Sequence, residues 1–421
     1  MTSIIKTFSL NPPNVLNNNQ GREDVDWAIG INRKLLKLLG LWSYKEKNNW
    51  QTIKSNFQII CIGVAIFTVN IFPQTIALIK IWGNLTLMVD NFIIYIPNTT
   101  AELKLIVPWA NKKVLAEIFN DIETDWLEKH NLEERNIMIK YATIGKLITI
   151  CGLCLAYFSV IFYMGPIFFG VVLRTITNLT DQNDVILPVQ AIYLYDISTP
   201  SRYYFTLICQ IICSAFSATI YSTMDVLFGV VVLHACGQLQ ILANKIEKMA
   251  DNNNIHQLLK IYLQRHYQLI RFAKKIEQVF NIMLLALFAS VITSFCVLEL
   301  SLITALSSNS ADLPMMHILF DIQFLFTFTF LMFIYSWVGE NLITQSEAIY
   351  TAVCNTNWVH CDYRESVELV LLLIRSQYPL FITAGKLISV RLPTFVTVSK
   401  KKIFFSQTFF PTTRFFDPYK N

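Results

Sequence analysis

Four long stretches without a charged residue constrain the fold of this chain more than any other feature. They cover residues 55–79, 147–173, 203–224 and 278–298. A helix needs about 20 consecutive apolar residues to cross the hydrocarbon core of a bilayer. Each stretch is therefore long enough to span a membrane as one helix, and together they predict a multi-pass membrane protein.

Three weaker segments complete the predicted set of spans. Residues 318–339 are apolar apart from Asp321, and residues 85–109 are apolar but interrupted. The interrupting residues are Asp90, Glu102 and Lys104. A seventh segment runs from 385 to about 400, where three adjacent lysines cut it. The prediction is an all-α membrane protein with seven transmembrane helices.

The composition supports this prediction and argues against an enzyme. The chain is 54% hydrophobic and only 15% charged, whereas a soluble chain has about 25% charged residues. It contains no G-x-S-x-G, H-E-x-x-H or glycine-rich phosphate motif, so we predict no catalysis and no cofactor. The cysteine pairs 151/154 and 209/213 lie inside apolar runs, and we interpret them as buried hydrophobic residues rather than metal ligands.

The distribution of lysine and arginine predicts the orientation. Residues 1–54 contain eight and residues 234–277 contain seven, whereas residues 174–202 contain only two. Because cytoplasmic loops carry the excess of basic residues, the N-terminus is expected inside and, with seven spans, the C-terminus outside. Asn84 and Asn178 open sequons on the predicted outer side and are candidate glycosylation sites.

Three segments outside the spans have helical spacing. Residues 31–41 predict a helix that either lies in the inner membrane interface or packs on the bundle. Residues 255–280 run without a break into the fifth span and predict a cytoplasmic collar where subunits meet. Residues 338–358 predict another cytoplasmic helix. The histidines expected to be exposed in the cytoplasmic helices are His234, His256 and His266.

Charged groups within apolar helices are candidates for function, because a bilayer makes them costly. Asp225 and Asp321 come closest to the middle of the predicted bundle. We expect for them a structural hydrogen-bond role or a role in a pore vestibule.

Five stretches resemble the insect odorant receptor family, and the likeness covers roughly residues 25–400. The stretches are GLW from Gly40, MDVLF from Met224 with LHACGQL from Leu233, His266 with Ile276 and Glu277, YSWVGE from Tyr335 with QSEA from Gln345 and Trp358, and PLFITAGK from Pro379. The resemblance implies a receptor for volatile small molecules that gates a non-selective cation channel.

The resemblance also implies the partners and the location. Members are seven-span subunits of the plasma membrane, in olfactory dendrites, that form hetero-tetramers with a shared coreceptor in contact with lipid, without nucleic acid. The short connection between spans four and five is that of an odour-tuning subunit and not of the coreceptor. A gustatory-type receptor of the same superfamily, a seven-span metabotropic receptor and a transporter remain the alternatives.

By the same resemblance, the odorant pocket is expected in the outer half of the bundle, among spans two, three, four and six. Aromatic and aliphatic residues there suit an apolar cavity. The candidate ligand-binding residues are Phe92, Tyr95, Tyr157, Phe158, Phe162, Ile208, Ile212 and Phe324. The seventh helix of each subunit is expected to line the pore, with Phe395 and Val398 as candidate pore and gating residues.

The end of the chain departs from the family pattern. Residues 1–400 are interpreted as one receptor domain and residues 401–421 as an atypical tail. Lys401 and Lys402 at bilayer depth would each cost about 3 kcal/mol on insertion scales, and Pro411 would stop a helix. The hypothesis is that this tail comes from intron read-through or an alternative last exon, and a helix is expected to end near residue 400. The alternative is a real but altered subunit that does not line a pore.

Overall fold

A computed structural model describes residues 10, 12, 20–42, 49–128, 131–181, 186–251, 255–307, 315–356, 363–394 and 396–397. The fold is a bundle of long helices with one small hairpin. The elements are α1 (Gln20–Leu38), α2 (Asn49–Ile66) with a π-helical turn (Phe67–Ile71), α3 (Phe72–Lys80), α4 (Leu85–Ala110), α5 (Lys112–Leu127), α6 (Leu132–Met164) with a 3-10 turn (Gly165–Phe169), α7 (Pro200–Glu247) with a 3-10 turn (Lys248–Asp251), α8 (Ile255–Ser307), α9 (Met315–Asn355), α10 (Tyr363–Ser376), β1 (Thr383–Ala384) and β2 (Ile388–Ser389).

Five helical segments among the described residues are long and apolar enough to cross a membrane. They are Asn49–Lys80, Leu132–Phe169, Pro200–Glu247, Ile255–Leu302 and Met315–Asn355. The weaker span predicted at 85–109 is the helix α4, whose 26 residues extend about 39 Å. The chain is therefore a mostly helical, multi-pass membrane protein, as the sequence predicts.

The central helix is α7. In its most apolar window 89% of the residues are buried, compared with 22% in α6. It packs against α2, α4, α6, α8 and α9. We call the end of the bundle with residues 165–199 the loop end, and the end with the β1–β2 hairpin the hairpin end.

The predicted third span, 147–173, is too long at its C-terminus. The α-helix ends at Met164 and a 3-10 turn follows to Phe169. Pro166 has no N–H to continue the helical ladder, and Gly170 adopts a left-handed conformation with φ of 74°. These two residues end the span before residue 170.

The helices extend far beyond a bilayer at the hairpin end. The helix α7 has 48 residues and α8 has 53, and α8 runs without a break from Ile255 through the predicted fifth span. The predicted cytoplasmic helix at 338–358 is the continuation of α9 to Asn355. Residues 357–358 lie outside the described part of the chain.

The N-terminal helix α1 packs on the bundle. It contacts α5, α6 and α7, and Leu36 and Leu39 are fully buried. Of the two interpretations of residues 31–41, the structure therefore supports a tertiary helix.

The predicted seventh helix does not begin at residue 385. Residues 383–389 form a hairpin in which Thr383 pairs with Ser389. Gly385 and Lys386 both have positive φ, and Leu387 N–H donates to the carbonyl of Ala384, which is the pattern of a type I′ turn. Helical residues follow only at 392–394 and 396–397. The pore candidates Phe395 and Val398 and the tail lie outside the described residues.

Candidate ligand-binding cavity

A cavity of about 170 Å³ lies between α4, α6, α7 and α9. These helices correspond to the predicted spans two, three, four and six. Small side chains leave the space open. Those in the wall are Gly152, Ala156, Ser214, Ser217, Ala218 and Ser222. An apolar cavity of about 150 Å³ in another protein binds benzene, so this one has room for a molecule of about one ring.

Phenylalanines of α9 form one wall. Phe320 stacks on Phe324 with ring centroids 5.3 Å apart, and Phe324 meets Phe328 edge-on at 4.7 Å. All three lie at helical spacing on the face of α9 that borders the cavity. Aromatic rings in such offset and edge-on pairs attract one another beyond their buried area. The wall is therefore fixed in shape and suited to a flat, apolar ligand.

A buried ion pair borders the cavity toward the hairpin end. Lys104 of α4 donates to Asp225 of α7, and Tyr335 of α9 donates a hydroxyl hydrogen bond to the same carboxylate oxygen. The ammonium nitrogen of Lys104 also lies 3.3 Å from the centre of the Tyr221 ring. Both charged side chains are almost inaccessible to solvent, so the charges of Lys104 and Asp225 offset each other within the bundle. This is the hydrogen-bond role predicted for Asp225.

Below this ion pair, α9 contacts the hairpin. Gly339 lies one helical turn after Tyr335, directly against the main-chain carbonyl of Val390. The next residue, Glu340, accepts a hydrogen bond of 3.2 Å from the backbone N–H of Leu392. The cavity wall and the first turn after the hairpin are therefore joined through one helix.

The loop end closes over the bundle through several anchors. Arg174 forms a bidentate ion pair with Asp181 and donates to the carbonyl of Leu187. Tyr163, in the cavity wall, donates to the carbonyl of Pro188 over 3.1 Å. These contacts of Arg174 and Tyr163 hold residues 181 and 187–188 against the bundle.

A second polar cluster lies at the loop end beside α9. Asp321 is fully buried and accepts a 2.6 Å hydrogen bond from Ser301. His317 lies 3.5 Å from Asp321 and 3.8 Å from Asp90. Asp90 also accepts from the backbone N–H of Thr175 over 2.7 Å. The predicted hydrogen-bond role of Asp321 is therefore the one that the structure supports.

A third polar cluster joins the helices beyond the cavity toward the hairpin end. Asp125 of α5 lies 2.9 Å from His234 of α7 and 2.6 Å from Arg265 of α8. Burial alone would raise the pKa of Asp125, but the hydrogen bonds and charges of His234 and Arg265 outweigh it and lower that pKa. His234 is half-buried and His266 is buried, so the prediction that both are exposed is wrong. Both face the packed interior of the long helices.

Comparisons with known proteins identify the family. The family model described as 7tm Odorant receptor matches residues 84–401, more than half of the chain. The chain belongs to the odorant receptor family. The receptor is 24% identical over 386 residues to "Odorant receptor Or2" of Anopheles gambiae, covering 87% of this chain and 93% of that protein. It is 22% identical over 398 residues to "Odorant receptor 13a" of Drosophila melanogaster, covering 87% and 91%.

Solved structures share the fold of the receptor. The olfactory receptor OR5 of Machilis hrabei superposes with a TM-score of 0.76 at 16% identity, covering 91% of this chain and 97% of that one. Its complex with eugenol superposes with a TM-score of 0.74 at 15% identity, covering 90% and 96%. This family is not an enzyme family, in agreement with the missing catalytic motifs.

The structure places one of the eight predicted ligand-binding residues, Phe324, in the cavity wall. Phe162 lies behind the wall and stacks on Phe320 at 6.0 Å. The hydroxyl of Tyr157 bonds that of Thr219, at 2.7 Å. Direct ligand binding by all eight residues, Phe324 included, stays a prediction.

The other five predicted residues lie farther from the cavity. Tyr95 accepts a hydrogen bond from Thr75, and Phe92 packs edge-on against Tyr95. Phe158, Ile208 and Ile212 are each at least 50% exposed on the outside of the bundle. In a bilayer such side chains face lipid. A hydropathy pattern shows that a helix is apolar all round but not which side faces the cavity.

The sequon asparagines have different surroundings. Asn84 caps α4, because its side chain accepts from the backbone N–H of Leu87 at 3.3 Å. Asn178 is exposed in the loop at the loop end. Glycosylation at either site stays a prediction.

Proposed function

We propose that the receptor binds a volatile small molecule in the cavity and gates a non-selective cation channel together with a coreceptor. The observation that carries this proposal is the apolar cavity bordered by α9, the helix that also contacts the hairpin. A bound molecule that changes the position of α9 would change the segment after Val390. Eugenol is the ligand of the related OR5 complex, and a ligand of that size class suits this cavity.

In this proposal the loop end faces outside and the hairpin end faces the cytoplasm. Residues 1–400 act as one receptor domain, and the helix that starts after the hairpin lines the pore, with Phe395 and Val398 toward the conduction path. The orientation agrees with the basic residues of the long helix ends, since positive charge is retained on the cytoplasmic side.

The collar at the hairpin end is the proposed contact with the coreceptor. Large apolar side chains are exposed on α10 and on the hairpin. They are Val367, Val370, Leu371, Ile374 and Leu387. Exposed apolar patches outside the bilayer mark interaction surfaces. The connection between α7 and α8 is short, 248–254, as expected for an odour-tuning subunit.

The test is recording of odour-evoked current in cells that express the receptor with and without an insect odorant coreceptor. The expected result is current only when both chains are present, and current that persists in excised patches without nucleotides. A response that disappears on excision and returns with GTP would instead support a metabotropic receptor. Uptake of the compound without current and without a coreceptor would support a transporter.

A further inference from the structure

Two amide side chains of the first membrane helix are fully buried although the helix is apolar. Asn70 and Gln74 have no exposed surface. The amide of Asn70 donates to Ser214 of α7 at 3.4 Å, and Gln74 accepts from the amide of Asn98 of α4 at 3.2 Å. A polar group inside an apolar bundle is unfavourable unless it is hydrogen-bonded. These two amides therefore contact α7 and α4, two of the four helices that border the cavity.

The local backbone turns the first helix toward the cavity. Pro73 has no N–H and leaves the carbonyl of Val69 without its helical donor. The Tyr193 hydroxyl donates to that carbonyl at 2.9 Å, and the backbone N–H of Phe72 bonds Phe67 in π-helical spacing. π-helical turns of this kind occur frequently at functional sites. The turn places Asn70 on the inner face of the bundle.

The cluster retains hydrogen-bonding groups that no described residue satisfies. Among the described residues, the carbonyl oxygen of Asn70, the amide nitrogen of Gln74 and the hydroxyl of Ser217 have no partner. Asn98 and Ser214 line the cavity itself, as does Ser217, three residues after Ser214 on α7. Buried polar groups in native proteins are almost always paired. Of these unpaired groups, the hydroxyl of Ser217 belongs to a residue that lines the cavity, and it is therefore placed to bond a ligand there.

We propose that Asn98, Ser214 and Ser217 form a hydrogen-bonding subsite for the oxygen atom of a neutral, oxygenated ligand such as a ketone, ester or alcohol. Asn70 and Gln74 act as positioning residues, because they hydrogen-bond Ser214 and Asn98 and do not line the cavity themselves. This inference rests on the proposed function and adds a contribution from the first span, which the resemblance does not include among the pocket spans.

The ligand is neutral because no charged side chain belongs to this cluster. The ion pair at the other side of the cavity is already matched, since Lys104 and Asp225 bond each other. A charged ligand would need a counter-charge to enter an apolar cavity. The size of the cavity limits the ligand to about one ring, and the wall formed by Phe320 and Phe324 favours a flat one.

The test compares acetophenone with its hydrocarbon isostere 2-phenylpropene, which differs only in that a CH2 group replaces the carbonyl oxygen. Binding to the purified receptor–coreceptor complex in nanodiscs is measured by ligand-induced thermal shift, and current is recorded in parallel. The variants are Ser217→Ala and Gln74→Leu. The control is Ser294→Ala, a buried serine of α8 that does not line the cavity.

The expected result is that acetophenone binds about 5- to 10-fold more tightly than 2-phenylpropene, as one net hydrogen bond would give. Ser217→Ala and Gln74→Leu should each reduce this ratio, whereas Ser294→Ala should not. Because the ratio compares two ligands on the same protein, a purely structural effect would weaken both and leave it unchanged.

Three outcomes would overturn the subsite. They are equal binding of the ketone and the hydrocarbon, an unchanged ratio in Ser217→Ala, and no binding of either compound to a folded complex. Binding with the expected ratio but without current would support the subsite and contradict the proposed channel. Failure of the subsite and failure of the proposed function are therefore distinguishable.

Discussion

Gly339 of α9 lies against the main-chain carbonyl of Val390, so closely that a Cβ atom on residue 339 would overlap that oxygen. A backbone oxygen cannot move aside as the end of a flexible side chain can. The contact lies one helical turn from Tyr335 in the cavity wall. The contact therefore connects the cavity wall with the segment that follows the hairpin.

The first prediction concerns this contact. Gly339→Ala should abolish or strongly reduce odour-evoked current, because the added methyl group separates α9 from the hairpin. The affinity for an activating compound, measured by thermal shift, should remain within about threefold of wild type. The cavity itself is unchanged, so the binding free energy should change by less than about 0.7 kcal/mol.

Gly165→Ala is the matched control for this variant. Its backbone φ of −64° suits any residue, and a Cβ there meets nothing within 4 Å. It should retain normal current. Normal current in Gly339→Ala would show that the close contact does not couple the cavity to the channel.

The second prediction concerns the buried ion pair. Lys104→Met leaves the carboxylate of Asp225 without its cation and should lower the free energy of unfolding by about 3–5 kcal/mol. The double variant Lys104→Met with Asp225→Leu should recover much of this loss, because replacing both partners by apolar groups is often close to neutral. Detergent-solubilised thermal unfolding measures both.

The control pair is Lys248 with Glu133, whose side chains are 64% and 55% exposed. Lys248→Met should change stability by less than about 1 kcal/mol, as for other exposed ion pairs. If Lys104→Met lost no more stability than this control, the Asp225 carboxylate would not need Lys104 to balance its charge.

The third prediction concerns pH. The pKa of Asp125 is lowered in the folded receptor from its ordinary value of 3.8 by His234 and Arg265. A lowered folded-state pKa contributes stability above the unfolded pKa, and this contribution is lost as the pH falls through the folded value. Wild type should therefore exceed Asp125→Asn in unfolding temperature most clearly near pH 6, and the difference should shrink below about pH 3.8.

The control for this series is Glu117→Gln, on the same helix but with a side chain that is 60% exposed. It should shift stability by less than about 1 kcal/mol. A difference between wild type and Asp125→Asn that grew toward pH 3 would contradict the assigned sign.

The fourth prediction concerns glycosylation. Asn178→Gln should remove one glycan and increase the electrophoretic mobility of receptor from insect cells, because this exposed asparagine lies at the proposed outer end. Glycosidase treatment should give wild type the mobility of the variant. Unchanged mobility in both experiments would argue against an occupied site in this loop.

Much of the helical architecture follows from the sequence, because uninterrupted apolar runs have few alternatives to membrane helices. The continuous helix from Ile255 into the fifth span is an example. Local interruptions of the helices are harder to predict from the sequence. Residues 385–391 include the apolar Leu387, Ile388 and Val390, but the left-handed residues Gly385 and Lys386 form a turn that periodicity does not reveal.

The residues that line the cavity are the part of the structure least predictable from the sequence. In a soluble protein, polarity marks the outer face of a helix, but a membrane helix is apolar on the face toward lipid as well. The sequence therefore does not separate pocket residues from lipid-facing ones such as Phe158 and Ile208, both of which are exposed. Polar residues are a better indication of the inner face of a membrane helix. Asn70 and Gln74 are polar residues in an apolar span, and such residues face the interior.

The hypothesis about the tail stays a prediction. The family match ends at residue 401, and residues 398–421 lie outside the described part of the chain. Sequencing the 3′ end of the transcript from antennal tissue tests it. An uninterrupted apolar helix encoded after Val398 would support intron read-through, whereas the present sequence in the message would predict a silent or modulatory subunit.

Whether a ligand in the cavity opens the channel is tested by the dose–response of odour-evoked current in Ala218→Phe and Ile208→Phe, each expressed with the coreceptor at matched surface density. Ala218 lines the cavity, whereas Ile208 lies on the same helix, 54% exposed on the outside. Filling the cavity costs about 1–3 kcal/mol, or roughly a 5- to 150-fold increase in the half-maximal concentration. This increase is expected for Ala218→Phe alone. An unchanged response in Ala218→Phe, or a loss only in Ile208→Phe, would show that the cavity is not the ligand site.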